Sequence, residues 1–279
     1  MIRALQAEII KSFSRPRSYI GLGAIVLLTG LIDVAFWFGG QEYIGLLFQS
    51  FDPVFRLEGN IVNGNLLCFI ILQTLIIHLP LLVALITGDL LSGESAMGTM
   101  RYVLTRPISR ARLVLVKWLT AVLYCLAILL LLGLFAYLGS LAIFGLGDLM
   151  VLNSDGLVIL RSSELLWRFA MALGYAFLSL ITIASLSLMF SAFANNSIGP
   201  IVLTMLVVIT FTIISSFEMS FFNPVLPLLF TNHMMLWRKF FADPIPFMEI
   251  ARSAGVLSLH IAAFVGITLY HFRKKDILE

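Results

Sequence analysis

Six long apolar runs constrain this chain more than any other feature. They fall at 20–38, 66–91, 113–146, 169–194, 198–217 and 254–272. A hydrocarbon core about 30 Å thick takes about 20 residues of helix to cross, and every run supplies that length. Backbone N–H and C=O groups facing lipid must be paired within their own segment, so such runs are helices. Charged residues make up only 12% of the chain, against about a quarter in soluble domains. The expectation is an all-α integral membrane protein with six transmembrane helices.

The third run is longer than a bilayer needs, which predicts that it tilts or projects into water at its Lys117 end. Only Asn195, Asn196 and Ser197 separate the fourth run from the fifth, a tight helical hairpin. The glycosylation-like pattern there is a chance match in so short a turn. Residues 1–19 place Ile2, Leu5, Ile9, Ile10 and Phe13 on one helical face and Arg3, Gln6, Glu8 and Lys11 elsewhere. That pattern predicts an interfacial amphipathic helix, with Arg15, Pro16 and Arg17 turning the chain into the bilayer. No small-residue cleavage site follows the first run, so it reads as an anchor and not as a signal peptide. Segment 218–250 is broken by Pro224, Pro227, Pro244 and Pro246. It is expected to form short interfacial or re-entrant helices, with Trp237 at headgroup level.

Basic residues set the orientation. The N-terminus, the stretch after the second run and the tail hold twelve of the eighteen Lys and Arg. With six spans these three segments share a side, which the positive-inside rule makes cytoplasmic. The expected location is the cytoplasmic (inner) membrane, multi-pass, with both termini inside.

The stretch 87–117 is the longest basic interruption between spans, with Arg101, Arg106, Arg110, Arg112 and Lys117 against Asp89 and Glu94. Ser92 reads as a helix N-cap with Glu94 in the first turn. Met97, Met100 and Leu104 recur at helical spacing, which predicts a short amphipathic helix over 92–105. Pro107 ends it, and Ser109 caps the next helix.

Catalytic patterns are missing from the sequence: no HExxH, no CxxC pair, no GxSxG and no phosphate-binding GxxxxGK[ST]. The two cysteines, Cys68 and Cys125, lie inside apolar runs and supply neither a disulfide framework nor a four-ligand metal site. The chain is therefore read as a non-enzyme with no cofactor or metal of its own. Ion-coupled carriers keep ionisable groups in mid-membrane, whereas here Asp33 and Asp89 lie near span ends. His78, beside Pro80 and a turn from Gln73 and Thr74, is the titratable group nearest a span centre. It is expected to be neutral and bonded to a neighbouring helix.

The run Glu94-x-x-x-Gly98-Thr99-Met100-Arg101, then Leu104-Thr105-Arg106-Pro107-Ile108-Ser109-Arg110 and Lys117, resembles the cytoplasmic signature of ATP-binding-cassette (ABC) type-2 permeases. The full layout resembles that family too. The resemblance implies the membrane subunit of an exporter, paired with itself or a second permease and docked on two copies of a separate ATPase. That ATPase would carry the ATP and Mg. Segment 92–105 would be the coupling helix, with Glu94, Met97, Gly98, Thr99, Met100, Arg101, Leu104 and Pro107 as its coupling residues. In similar exporters spans two and five line the path, which here would present Gln73, Thr74, His78, Thr204, Thr210 and Thr212. Membrane lipids are expected partners and nucleic acid is not. The alternatives are an ion-coupled carrier or channel acting without an ATPase, and a membrane scaffold.

Overall fold

A computed structural model describes residues 2–49, 62–100, 102, 109–153, 156–217 and 220–275. The amphipathic segment forms α1 (Ile2–Phe13), and Pro16 opens α2 (Pro16–Gln49), which carries the first span over Pro16–Gly40. Proline suits this position because the first helical turn needs no N–H from it.

The second apolar run is not one helix. It divides into α3 (Gly64–Leu75), α4 (Leu79–Thr87) and α5 (Asp89–Ala96). Pro80, in the first turn of α4, lacks an N–H and crowds the carbonyl four residues back, so a continuous ladder cannot pass 76–78. The third run is a single rod, Arg110–Phe144. It comprises α6 (Arg110–Gly133), a π-helical turn (Leu134–Gly139) and α7 (Ser140–Phe144). As expected, Ser109 caps α6, its Oγ accepting from Arg112 N.

A hairpin of β1 (Leu149–Asn153) and β2 (Gly156–Leu160) follows, antiparallel with Leu149 opposite Leu160. It is a two-stranded addition to a chain that is otherwise helical, as expected. Then come α8 (Ser162–Phe193), α9 (Ile198–Ser216), α10 (Phe230–Met234) and α11 (Phe247–Lys274). Six of these helical segments are long and apolar enough to cross a membrane.

The core lies around α8, which packs against α4, α5, α6, α9 and α11. The span windows in α4–α5 and α8 are 72% and 67% buried, but those in α9 and α11 only 17%. The two inner spans therefore hold the bundle together, while α9 and α11 turn most of their apolar surface outward.

At the hairpin end, Asn63 caps α3 through Leu66 N and donates to the Asp148 carbonyl. Asn65 donates to the Gly147 carbonyl. Gly147 has to be glycine, since a Cβ there would come within 2.6 Å of the Asn63 amide. Trp237 is only 1% exposed and its ring packs near Phe69 and Phe241, so it is a core residue and not a headgroup anchor. Segment 235–241 is held against α8 by the buried Arg168, which donates to the carbonyls of Phe240 (3.1 Å) and Ala242 (2.8 Å).

Candidate functional site

The opposite end of the bundle gathers α1, α5, the start of α6 and the C-terminal tail. Three elements bring a carboxylate or an amine to one buried point. Lys117, on the second turn of α6, has no exposed surface and donates to Glu8 Oε1 and Glu94 Oε1, both at 2.8 Å. Lys11, one turn beyond Glu8 on α1, also pairs with Glu94. At that end of the third span the Lys117 side chain is buried within the protein. Glu8 and Glu94, far away in sequence, desolvate it and balance its charge.

Glu94 is likewise 1% exposed, so it does not face an outside partner; Arg101 lies outside the described residues. Its second oxygen, Oε2, is buried without a hydrogen-bond partner. Beside this cluster Asp89, in the first turn of α5, pairs with Arg15 and lies 3.6 Å from Arg17. A carboxylate is favoured there by the helix dipole. Gly93 leaves room for that carboxylate: a Cβ there would come within 2.3 Å of Asp89 Oδ1 and push it from its place.

Ser92 is not an N-cap. It sits inside α5, fully buried, donating through Oγ to the Gly88 carbonyl. The cap is supplied from elsewhere: Ser191 Oγ on α8 accepts from the N–H groups of Leu91 and Ser92. Those donors near the start of α5 have no partner inside the helix, so a side chain from the core span fixes its position.

The expected helix over 92–105 does not form as one piece. α5 stops at Ala96, and Gly98 takes a left-handed conformation, φ +66°, which a residue without a Cβ adopts readily. Thr99 N donates back to the Glu94 carbonyl, closing the turn. Met97 and Met100 therefore part company. Met97 is 59% exposed on the turn, whereas Met100 is 3% exposed within the core. Tyr102 is 75% exposed just beyond. Leu104 and Pro107, also assigned to coupling from the sequence, lie outside the described residues.

The tail closes the site. Arg110 Nη1 donates to the carbonyls of Arg273 (3.1 Å) and Lys275 (2.6 Å). Lys275 Nζ donates to the Ala192 carbonyl and Asn195 Oδ1, and burial holds its ammonium below the ordinary lysine range. The N-terminal helix, the stretch after span two, the α8–α9 turn and the tail thus share one end.

The six residues assigned to a substrate path lie on the α3–α4 segment and on α9. Gln73, Thr74 and His78 share the exposed side of the α3–α4 break. His78, in the break, has Nδ1 2.7 Å from the Thr74 carbonyl at the end of α3, not bonded to a neighbouring span. Thr204 is buried and donates to the Pro200 carbonyl. Thr210 is exposed, and Thr212 donates to the Val208 carbonyl at the edge of a cavity between spans. Among the described residues no group of three or more His, Cys, Asp or Glu is arranged to hold a metal.

Residues 25–278 match the family described as "Protein of unknown function (DUF2705)", and the chain belongs to that family. It is also similar to the "Uncharacterized protein YhcI" of Bacillus subtilis (strain 168), 24% identical over 198 residues. The match takes in 69% of this chain and 63% of the length of that relative.

Proposed function

We propose that this DUF2705 protein is the membrane-spanning subunit of an ABC exporter, driven by ATP hydrolysis on a separate ATPase chain. One observation carries the reading: α5 is clamped by ion pairs to α1 and α6 and by Ser191 to α8, and it ends in a turn that exposes Met97. A short helix fixed to three elements passes a push at its tip into the spans, whereas a loose loop would absorb it. The exposed Met97 turn is the contact with the ATPase, and Glu94 works behind it as a strut. Two such chains, or this one with a second permease, stand on two ATPase subunits. The charged end faces the cytoplasm.

The test is purification of the tagged full chain from its native membrane in mild detergent. The expected product contains an ATP-hydrolysing chain in equal number and two permease chains, by mass. A lone chain that moves solute in liposomes without ATP contradicts the reading. Orientation is tested by cysteine labelling: a cysteine replacing Ser14 should be shielded from impermeant reagent in intact cells.

A second reading has one observation in its favour. Asp33 is 4% exposed in α2 and accepts a 2.8 Å hydrogen bond from Ser140 Oγ, beside the π-helical turn. A carboxylate within a span is the kind of group an ion-coupled carrier uses. Transport that needs an ion gradient, survives ATP depletion and stops in Asp33→Asn would favour the carrier.

A further inference from the structure

A cavity of about 200 Å³ lies where the α3–α4 break faces α8, α9 and α10. Ile77, Ile209 and Ile213, each about half exposed, stand at its edge, while Leu180 and Val208 are buried behind them. It therefore opens sideways, through the lateral surface of the spans, and not at either end of the bundle. A surface at that level meets hydrocarbon when the spans lie in a bilayer. Apolar cavities of about 150 Å³ already admit a benzene ring, so an aliphatic chain has room here. A second helix, about 10 Å across with its side chains, does not.

The polar groups of the lining narrow the choice. Ser179 Oγ donates to the Tyr175 carbonyl and Thr212 Oγ1 to the Val208 carbonyl, each within its own helix. Thr231 differs. It is 4% exposed, lines the same cavity from α10, and its Oγ1 has no hydrogen-bond partner. An unpaired buried hydroxyl is costly. A ligand that is apolar along its length and offers one acceptor satisfies both the walls and the hydroxyl.

We infer that this crevice binds the acyl chain of a bilayer lipid, its ester carbonyl accepting the hydrogen bond of Thr231 Oγ1. The α3–α4 break makes the room, because a straight helix through 76–78 would carry Ile76 and Ile77 on a different course past α9. The site would anchor a lipid between the outer helix α9 and the inner core, independent of any ATPase.

The test uses the full chain in phosphatidylcholine vesicles doped with phosphatidylcholine carrying a photoreactive diazirine on its acyl chain. After illumination, adducts are mapped by peptide mass spectrometry. Adducts are expected to be enriched at Met205, Met234 and Met235 over Leu259, which is exposed on α11. Ala176→Phe, which fills the cavity, should abolish the enrichment. Thr231→Val keeps the shape and removes the hydroxyl, so labelling by the ester lipid should fall about fivefold, the worth of one ordinary hydrogen bond. An ether-linked analogue, which lacks the carbonyl, should label both forms equally. Labelling no greater than at Leu259 overturns the site. Equal labelling of wild type and Thr231→Val by the ester lipid, or an equal loss with both lipids, overturns the hydrogen bond; that arm decides even if Ala176→Phe fails to fold.

Discussion

The two ends of the bundle each bury a basic side chain, and they neutralise it differently. At the charged end Lys117 is met by carboxylates from α1 and α5. At the hairpin end Arg168 is met by the Phe240 and Ala242 carbonyls, with Glu164 3.3 Å away. Around Arg168 the packing is aromatic, with the Phe241 ring centred 5.0 Å from Phe69 and 4.9 Å from Phe169. Carbonyl partners hold a cation through dipoles and leave no net charge when it is removed, and the carboxylate of Glu164, half exposed, is left to solvent. The carboxylate partners at the charged end do leave a net charge. The charged end is thus the end where a single substitution, or a partner's push, changes the local electrostatics most.

Breaking the two ends in turn tests that contrast. Lys117→Met removes the buried cation that Glu94 and Glu8 share and leaves Glu94 only the partly exposed Lys11; loss of one partner from a buried pair costs about 3–5 kcal/mol. Thermal unfolding of the full chain in detergent should show the largest drop of any single change proposed here. Adding Glu94→Leu to it should recover much of the loss, since apolar groups of similar volume replace buried pairs at little cost. Arg168→Leu ranks next. It leaves two carbonyls without their donor, at about 2 kcal/mol, and protease cleavage within 235–241 should rise with it. Lys11→Gln should cost less than about 1 kcal/mol, because Lys11 is 39% exposed and Lys117 still holds Glu94. If Lys117→Met and Lys11→Gln cost the same, the buried cluster is not the organiser of this end.

Much of the helical layout was legible because hydropathy and length decide it locally. The six spans, the Ser109 cap and the short α8–α9 turn needed no tertiary information. Two departures had signals that longer apolar patterns masked. Pro80 marks the break at 76–78, and Asp155–Gly156 between apolar stretches is a hairpin signal. Others had none. Lys117 looks like a solvated flank until Glu8 and Glu94 are brought to it, and Trp237 looks interfacial until 235–241 folds against α8. The coupling segment was the hardest, because the spacing of Met97, Met100 and Leu104 suits a helix that Gly98 interrupts. Glu94 and Met100 turned out to be inward-facing, and of the two methionines only Met97 is exposed.

That distinction carries the smallest expected stability change and the sharpest functional one. Met97→Asp alters an exposed turn and should shift stability by no more than about 0.5 kcal/mol. It should nevertheless detach the ATPase, since an unpaired carboxylate would be buried in that contact.

Crosslinking from position 97 decides whether the turn after α5 meets an ATPase. Cys68 and Cys125 are both buried, so a Met97→Cys chain can be labelled with a benzophenone maleimide at that position in inside-out native membrane vesicles. An Ile267→Cys chain, modified on the outward face of α11, serves as control. Illumination should join position 97, and not position 267, to a chain that binds ATP. No ATP-binding adduct at position 97, or the same adduct from both positions, would contradict the proposal that the turn after α5 docks an ATPase.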